Sequence, residues 1–240
     1  VGQLDFGDFL ARVNITDDNT NAGNNELRPE QSWELELELA RDFGAWGSAT
    51  LRLFDQHIED FITIIPIAGG GESAGNISEA RLYGFAFDGT LRLDPLGFAG
   101  ARLDASIQGE KSRLADPLDG QDRSFDRNSP RNIRFDFRHD VPATPWAWGM
   151  EFRDTRPAPY FRISETGFDY NIRTFAALFV EHKDVLGLTV QARIANLFQR
   201  EVVLQRTVFD GPRTTAPVLL SEDRRREVGL VFNLDVSGSF

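Results

Sequence analysis

The chain has 240 residues, a formal net charge of -11 at neutral pH and a mean hydropathy of -0.33. This acidic balance, with no basic stripe, excludes nucleic acid as an expected partner, because phosphate binding needs a concentrated positive surface. The absence of cysteine excludes disulfides and thiol chemistry, and the length fits one all-β domain.

Alternating sequence patterns predict about ten strands along the chain. The first lies within residues 2–13 and is the least regular. The second, at residues 32–40, is the clearest, because large apolar residues occupy one parity and glutamates the other: Trp33, Leu35, Leu37 and Leu39 against Glu34, Glu36 and Glu38. Side chains on a strand alternate between faces, so this segment has one apolar face and one acidic face.

The same alternation continues through the rest of the chain. Further strands are predicted at residues 46–64, 76–93, 99–112, 133–138, 146–153, 174–181, 186–195 and 227–235. Their polar parity carries arginines, among them Arg52, Arg92, Arg102 and Arg193, and the first two are the expected ionic partners of the glutamates. Residues 174–181 are apolar on both parities, so the pattern leaves their facing open.

The connections between these strands alternate in length. Short turns are predicted at residues 41–45, 94–97, 141–145 and 183–185, and long loops at 13–31, 65–75, 113–130, 155–171 and 198–224. In a meander, successive connections emerge at opposite ends of the sheet. All long loops therefore share one end and all short turns the other, as in an outer-membrane barrel.

Two architectures fit such strands. A soluble sandwich buries the apolar parity against a second sheet, whereas a membrane barrel turns it to lipid and turns the charged parity to a wet lumen. Aromatic residues on the apolar parity and strands of about ten residues favour the barrel, and no apolar run is long enough for a transmembrane helix. We therefore predict an all-β fold, a transmembrane antiparallel up-and-down β-barrel. Its lumen-facing residues are expected to be Glu34, Glu36, Glu38, Arg52, Arg92, Arg102 and Arg193.

The sequence predicts no metal site, no cofactor and no enzyme activity. Asp116, Asp119 and Asp122 form one weak calcium candidate, but their spacing does not fit an EF-hand, and a solvated acidic loop is the favoured interpretation. The histidines His57, His139 and His182 lie on different strands without metal-like spacing, and no nucleophile motif occurs.

Four segments resemble one known family. They are NELRPEQSWEL at residues 25–35, the aromatic-centred strand LFDQHIEDFI at residues 53–62, NLFQR at residues 196–200, and the closing residues 224–240 with their terminal aromatic, Phe240. In order and spacing they resemble the C-terminal part of the barrel of TonB-dependent outer-membrane receptors. Together they cover nearly the whole chain.

This resemblance implies a place in the outer membrane of a Gram-negative bacterium, with outer-membrane lipid around the barrel, long loops outside the cell and short turns in the periplasm. Residues 1–240 would be the C-terminal part of a larger barrel whose plug domain is not in this chain. The remaining strands and the plug would come from the same precursor or from a companion chain, and TonB would act through the plug. The implied function is TonB-dependent uptake of a scarce small molecule or oligosaccharide, such as a ferric siderophore or cobalamin.

In that orientation the long loops carry ligand recognition. The aromatic and charged candidates are Tyr160, Phe161, Phe168 and Tyr170 in one loop and Arg206, Phe209 and Arg213 in another. The alternative is that such aromatic residues form interface girdles or pack loop against loop. Three other functions stay open: a passive porin-like barrel, an outer-membrane hydrolase with a Ser, His and acid set, and a soluble carbohydrate-binding β-sandwich.

Overall fold

A computed structural model describes residues 12–14, 19–21, 24–68, 71–126, 128–171 and 174–238, with the backbone alone at 12–14, 19–21 and 169–171. The strands of these residues are β1 (Arg12–Asn14), β2 (Asn19–Asn21), β3 (Gln31–Asp42), β4 (Gly47–Pro66), β5 (Glu72–Arg92), β6 (Ala101–Ala115), β7 (Asp122–Arg123), β8 (Arg131–Asp140), β9 (Trp146–Thr155), β10 (Pro159–Phe161), β11 (Glu165–Asn171), β12 (Thr174–Val185), β13 (Leu188–Ala195), β14 (Val202–Phe209), β15 (Val218–Arg226) and β16 (Val231–Ser237). Most of the first predicted strand and the terminal Phe240 lie outside the described residues. No helix in the described part of the chain is long and apolar enough to cross a membrane.

Nine of these strands form one antiparallel meander. Their spatial order is β3-β4-β5-β6-β8-β9-β12-β13-β16. The β1–β2 hairpin joins this sheet through a parallel contact between Asn21 and Glu72, and β7 pairs with the end of β6. A second sheet has the order β10-β11-β14-β15. Within the described residues, β3 and β16 each pair with the meander on one side only, so the sheet is open.

The short connections all lie at one end of the meander, as predicted. They join β3 to β4, β5 to β6, β8 to β9 and β12 to β13. Local hydrogen bonds and glycine conformations stabilise these turns. Asp42 Oδ1 accepts a hydrogen bond from Gly44 N at 2.6 Å, and Gly97 has a left-handed φ of 80°. The longer connections lie at the opposite end.

The predicted loop at residues 65–75 is mostly strand, because β4 and β5 continue into a long hairpin and only residues 67–71 connect them. Gly75 accounts for the error. Although glycine suggests a loop in the sequence, this one pairs with Thr63, and the Ile65 side chain occupies the space that a Cβ would need. Here glycine permits close packing within a strand.

Two other connections predicted as loops, residues 155–171 and 198–224, also contain strands. The first provides β10 and β11, the second provides β14 and most of β15, and β11 pairs with β14, for example through Thr166 and Thr207. Alternation within one segment does not reveal this pairing, because the partners belong to different connections.

The two parities of the meander differ in their surroundings. Large apolar side chains on one parity are exposed, with Leu35 at 75% and Phe85 at 41%. The opposite parity carries ionic side chains in cross-strand rows, such as Asp104 beside Asp136. An apolar face left open along nine strands suits lipid. This agrees with the predicted membrane-barrel fold, and it does not fit the sandwich, in which this parity is buried.

The pairing of β12 defines the facing of residues 174–181, which the sequence left open. Leu178 lies opposite Met150 on the apolar face. Phe179 lies on the polar face, where the Arg138 guanidinium is 5.7 Å from its ring centre. A ring face attracts a guanidinium, so this strand accommodates an aromatic residue on its ionic side.

A small apolar core lies at the end that carries the long connections. Ile58, Ala80, Leu114 and Phe125 are buried together, and the Phe61 ring stacks on that of Phe125 at 4.5 Å. This core holds β4, β5 and β6 against the segment after β7. It therefore provides the base on which the connections pack.

Candidate functional site

The polar face of the meander carries a set of cross-strand ion pairs. All seven residues predicted to face the lumen lie on this face. Glu36 pairs with Arg52 at 3.4 Å, Arg193 pairs with Glu151 at 2.8 Å, and Arg102 pairs with a neighbouring aspartate of its own strand at 2.9 Å. The expected partnership between Arg52 and the β3 glutamates is therefore present.

Three of the seven residues have no ionic partner in the described part of the chain: Glu34, Glu38 and Arg92. Arg92, the second expected partner of the glutamates, lies opposite Arg102 instead. These charges are available to a molecule that occupies the space beside this face.

Arg138 is the hub of another group of charges, close to the short turns. Its guanidinium donates to Glu181 at 2.6 Å and to Asp140 at 3.0 Å. Gln191 donates to Glu181 at 3.1 Å, and Lys183 pairs with Asp140 at 2.6 Å. Charges of both signs matched in this way suit the polar interior of a barrel.

The long connections meet in a buried group of ionic and aromatic residues, which we call the loop cluster. It contains Thr63 and Glu72 from the β4–β5 hairpin, Asp116, Arg123 and Asp126 from the connection after β6, Phe161 and Arg162 from the connection after β9, and Arg213 from the connection after β13. Asp116 lies at its centre, paired with Arg123 at 2.9 Å and with Arg213. The side chains of both arginines are 8% exposed and that of Asp116 is 9% exposed.

Phe161 contacts both arginines of the loop cluster. The guanidinium carbons of Arg123 and Arg213 lie 4.6 and 5.8 Å from its ring centre. Its backbone N–H donates to Asp126 Oδ1 at 2.8 Å. Cation–π attraction is strongest where water is excluded, so this ring helps to hold two buried cations side by side.

A further contact ties the β4–β5 hairpin to the loop cluster. Glu72 is 1% exposed, pairs with Arg162 and accepts a hydrogen bond from Ile163 N at 3.1 Å. Arg123 Nη2 donates to Thr63 Oγ1 at 3.3 Å. Four connections that are separate in sequence therefore pack as one unit.

Burial shifts the pKa of two members of the loop cluster. It lowers the pKa of Arg123 and raises the pKa of Asp126, although the two groups attract each other. For these two groups the effect of desolvation on the pKa outweighs that of their mutual attraction, which is in line with the high desolvation cost of buried ion pairs. We infer that the cluster defines the arrangement of the connections more than it adds to their stability.

Several of the residues predicted to bind ligand lie in the second sheet. The Tyr160 hydroxyl donates to Glu165, and Arg206 Nε donates to Glu222 at 2.5 Å. The hydrogen bond from Arg206 holds the pKa of Glu222 below its usual range. Phe209 is half-buried. The side chain of Tyr170 lies outside the described residues.

Phe168 separates two adjoining cavities on the outside of this end of the molecule. Their volumes are about 630 and 570 Å³, and both are lined by Phe168 and Pro157. Phe161 and Arg213, in contrast, are enclosed by the loop cluster. The structure thus brings Phe161 and Arg213 together and leaves Phe168 at a separate surface.

The three aspartates considered for calcium do not converge. Asp116 belongs to the loop cluster, Asp119 Oδ1 accepts a hydrogen bond from Gln121 N at 2.9 Å, and Asp122 pairs with Arg113. Within the described ranges, no group of three or more His, Cys, Asp or Glu residues is placed to hold a metal ion.

Two of the three histidines, His139 and His182, take part in aromatic contacts near the apolar face. Trp148 Nε1 donates to His139 Nδ1 at 3.1 Å, and the rings of Trp146 and His182 meet edge to face at 4.5 Å. His57 lies 3.9 Å from Glu79. These positions fit the predicted role of ordinary barrel residues near an interface.

Sequence reasoning missed Glu72, Arg123 and Arg162. Glu72 lies within the predicted loop at residues 65–75, and nothing local indicates that its carboxylate is buried. Arg113, near the end of β6, and Arg123, among the aspartates that follow β6, were the residues from which ion pairing in that segment could have been predicted.

Comparisons with known proteins agree with this architecture. The family model described as TonB dependent receptor-like, beta-barrel, matches residues 2–197. The copper transporter OprC has a TM-score of 0.63 at 17% identity, covering 90% of this chain and 32% of that protein. The FrpB iron transporter from Neisseria meningitidis, F3-3 variant, has a TM-score of 0.57 at 14% identity, covering 91% of this chain and 33% of that protein. No curated protein matches. The chain thus spans about a third of these solved structures, and at such identities their likeness shows the fold alone.

Proposed function

The chain belongs to the TonB dependent receptor-like β-barrel family, and from this we propose that it forms part of an outer-membrane receptor that takes up a scarce ligand with energy delivered through TonB. Family membership places the chain in the outer membrane. The family and the similar solved structures are receptors and transporters. The proposal therefore involves binding and passage, and no covalent chemistry.

The observation that carries the proposal is the contrast between the two faces of the meander. Leu35 and Phe85 are exposed on the apolar face, whereas Arg138, Glu151 and Glu181 form ion pairs on the other. Contact with a bilayer requires the apolar face, and contact with a water-filled interior requires the ionic face. A rigid wall of this kind suits a transporter that encloses a separate moving part.

We propose that residues 1–240 are the C-terminal part of a larger barrel. The outer edges of β3 and β16 lack partners among the described residues, and unpaired backbone groups are costly in a membrane. Further strands and a plug, supplied by the same precursor or by a companion chain, would cover these edges and fill the lumen. Glu34, Glu38 and Arg92 are the charges with which such a plug would interact.

We propose that ligand is caught on the extracellular connections, with Tyr160, Arg206 and Phe209 in the second sheet as the first candidates. Ligand contact by Phe161, Phe168, Tyr170 and Arg213 stays a prediction. Phe161 and Arg213 support the surface by their packing in the loop cluster. The names of the similar transporters, copper and iron, make a metal or a metal chelate the first ligand to test; cobalamin and oligosaccharides are the alternatives.

Uptake measurements in a Gram-negative host would test the proposal. The assembled receptor is expressed with and without a functional TonB system, and accumulation of radiolabelled copper, a ferric siderophore, cobalamin and an oligosaccharide is followed. We expect accumulation of one of these that is saturable and abolished without TonB. Unsaturable passage that persists without TonB would instead identify a passive porin.

A further inference from the structure

The apolar face of the meander, which we take as its outward face, changes from apolar to charged side chains at a sharp boundary. Along β5 the outward residues run from Phe87 and Phe85 to Tyr83, and Tyr83 pairs with Lys111 of β6. The next outward position of β6 is Arg113. Apolar residues thus give way to an aromatic hydroxyl and then to charged side chains, among them Arg113 and the Arg81–Asp55 pair, which is the sequence expected where hydrocarbon meets the headgroup layer. The inference rests on the orientation proposed above, with the long connections outside the cell, which assigns this boundary to the outer leaflet.

The two adjoining cavities open at this boundary. One is lined by Tyr83, Lys111, Arg113 and Arg156, the other by Phe198, Arg200 and Arg225, and Pro157 and Phe168 line both. The Phe198 ring packs edge to face on Phe152 at 6.4 Å, and Phe152 is the last outward aromatic residue of β9. Both cavities therefore begin where the lipid-facing band ends.

The linings of both cavities carry more cations than acidic side chains, six against three in all. Arg113 pairs with Asp122, and Arg225 pairs with Asp223 at 3.2 Å and with Glu201, which lines the same cavity, at 3.8 Å. Three further cations of the lining have no acidic partner among the described residues: Lys111, Arg156 and Arg200. The cavity that is lined by Lys111 is also lined by Glu110, whose carboxylate accepts a hydrogen bond from Gln108 at 3.1 Å.

We propose that these two cavities bind the phosphorylated headgroup of an outer-leaflet lipid, with Lys111, Arg156 and Arg200 as phosphate ligands. Arginine donors match phosphate oxygens in a forked geometry, and lysine supplies a point charge. Tyr83 and Phe168 supply apolar and aromatic surface at the headgroup level. A lipid is favoured over a soluble anion because the cavities adjoin the apolar band, so that acyl chains attached to the headgroup lie against Phe85 and Phe152.

Reconstitution in nanodiscs would test this site without any transport measurement. The assembled receptor is placed in phosphatidylcholine nanodiscs with increasing amounts of lipid A, a phosphorylated glycolipid, and retained lipid is counted by native mass spectrometry. Each cation near a membrane surface contributes enough attraction for about a fivefold change in binding. Replacing all three, Lys111→Gln, Arg156→Gln and Arg200→Gln, should therefore weaken retention on the order of a hundredfold.

Two variants separate this effect from misfolding or from general charge. Lys111→Arg keeps the cation and should retain binding within about twofold. Arg41→Gln removes an exposed cation that has no ionic partner in the described residues and lies near the short turns at the other end of the molecule, and it should weaken retention by no more than the roughly fivefold effect of a single surface charge. Heat-dependent gel mobility reports whether each barrel remains folded.

Other outcomes would overturn the assignment. Equal retention by the triple variant and the parent, or equal retention of lipid A and its dephosphorylated form, would show that these cations do not bind lipid phosphate. Full competition by millimolar inorganic phosphate would indicate a soluble-anion site instead. Because the readout is lipid retention, failure here leaves the uptake proposal intact, and failure of uptake leaves this site intact.

Discussion

Asp116 and Arg213 are 97 residues apart in sequence and form an ion pair in the interior of the loop cluster. Arg213 also donates to the backbone oxygen of Arg162 at 2.7 Å. One side chain therefore joins the connections that follow β6, β9 and β13. The surface proposed to bind ligand would therefore be preassembled, and a change in one connection would be transmitted to the others.

Arg213→Ala should loosen several connections at once. Removing one partner of a buried ion pair leaves the other charged and unpaired, which typically costs about 3–5 kcal/mol. We expect faster hydrogen exchange not only around residue 213 but also near Glu72, Asp116 and Phe161. Arg113→Ala, which breaks an exposed pair with Asp122, is the matched control and should change exchange only locally. If Arg213→Ala altered its own connection alone, the loop cluster would not act as a unit.

Asp116→Asn should produce the same pattern from a different connection. The amide keeps the volume of the side chain but leaves Arg123 and Arg213 without their shared counter-charge. The variant that combines Asp116→Asn with Arg213→Ala should then lose less unfolding free energy than the two single variants lose in sum, since each substitution removes the same ion pair. Urea unfolding of the reconstituted receptor measures the coupling, and simple additivity would contradict it.

The facing of the strands could be predicted from the sequence, whereas the loop cluster could not. Leu35 and Glu36 differ by one position, and a period of two fixes which face each occupies. Gly75 misled the prediction because its role, making room for Ile65, depends on the partner strand. Asp116 and Arg213 belong to irregular segments without periodicity, so their meeting follows only from the assembled fold.

Gly47→Ala should destabilise the turn between β3 and β4 far more than Gly44→Ala. Gly47 has a φ of 116°, and a Cβ there would collide with the carbonyl oxygen of Thr90. Gly44 has a φ of 63° with no atom within 4 Å of an added Cβ, so only the left-handed conformation is penalised, at about 1 kcal/mol. The collision at Gly47 adds about 1–3 kcal/mol. Equal urea midpoints for the two variants would contradict the difference.

The hairpin of β14 and β15 should lose ionic support in acid. The hydrogen bond from Arg206 lowers the pKa of Glu222, with a smaller contribution from Arg224. Because the folded pKa lies below the unfolded value, this stabilisation is complete above the unfolded pKa and disappears as the pH falls through the folded one. A carboxyl NMR titration of Arg206→Gln should show the pKa of Glu222 rising. That of Asp223, which is lowered chiefly by Arg225, should stay low. An unchanged Glu222 titration would count against the pairing.

Cysteine labelling should separate the two faces of β5. The chain contains no cysteine, so a single introduced thiol gives an unambiguous signal. Phe85 lies on the outward face, and Asp88 lies on the polar face, where it is exposed and has no ionic partner in the described residues. In the membrane, Asp88→Cys should react with a charged maleimide that enters the aqueous lumen, whereas Phe85→Cys should react only with a membrane-soluble reagent because hydrocarbon excludes charge. Both should react alike after unfolding in denaturant, which controls for intrinsic reactivity. If the charged reagent modified Phe85→Cys in the membrane as fast as Asp88→Cys, the apolar face would not be in contact with lipid.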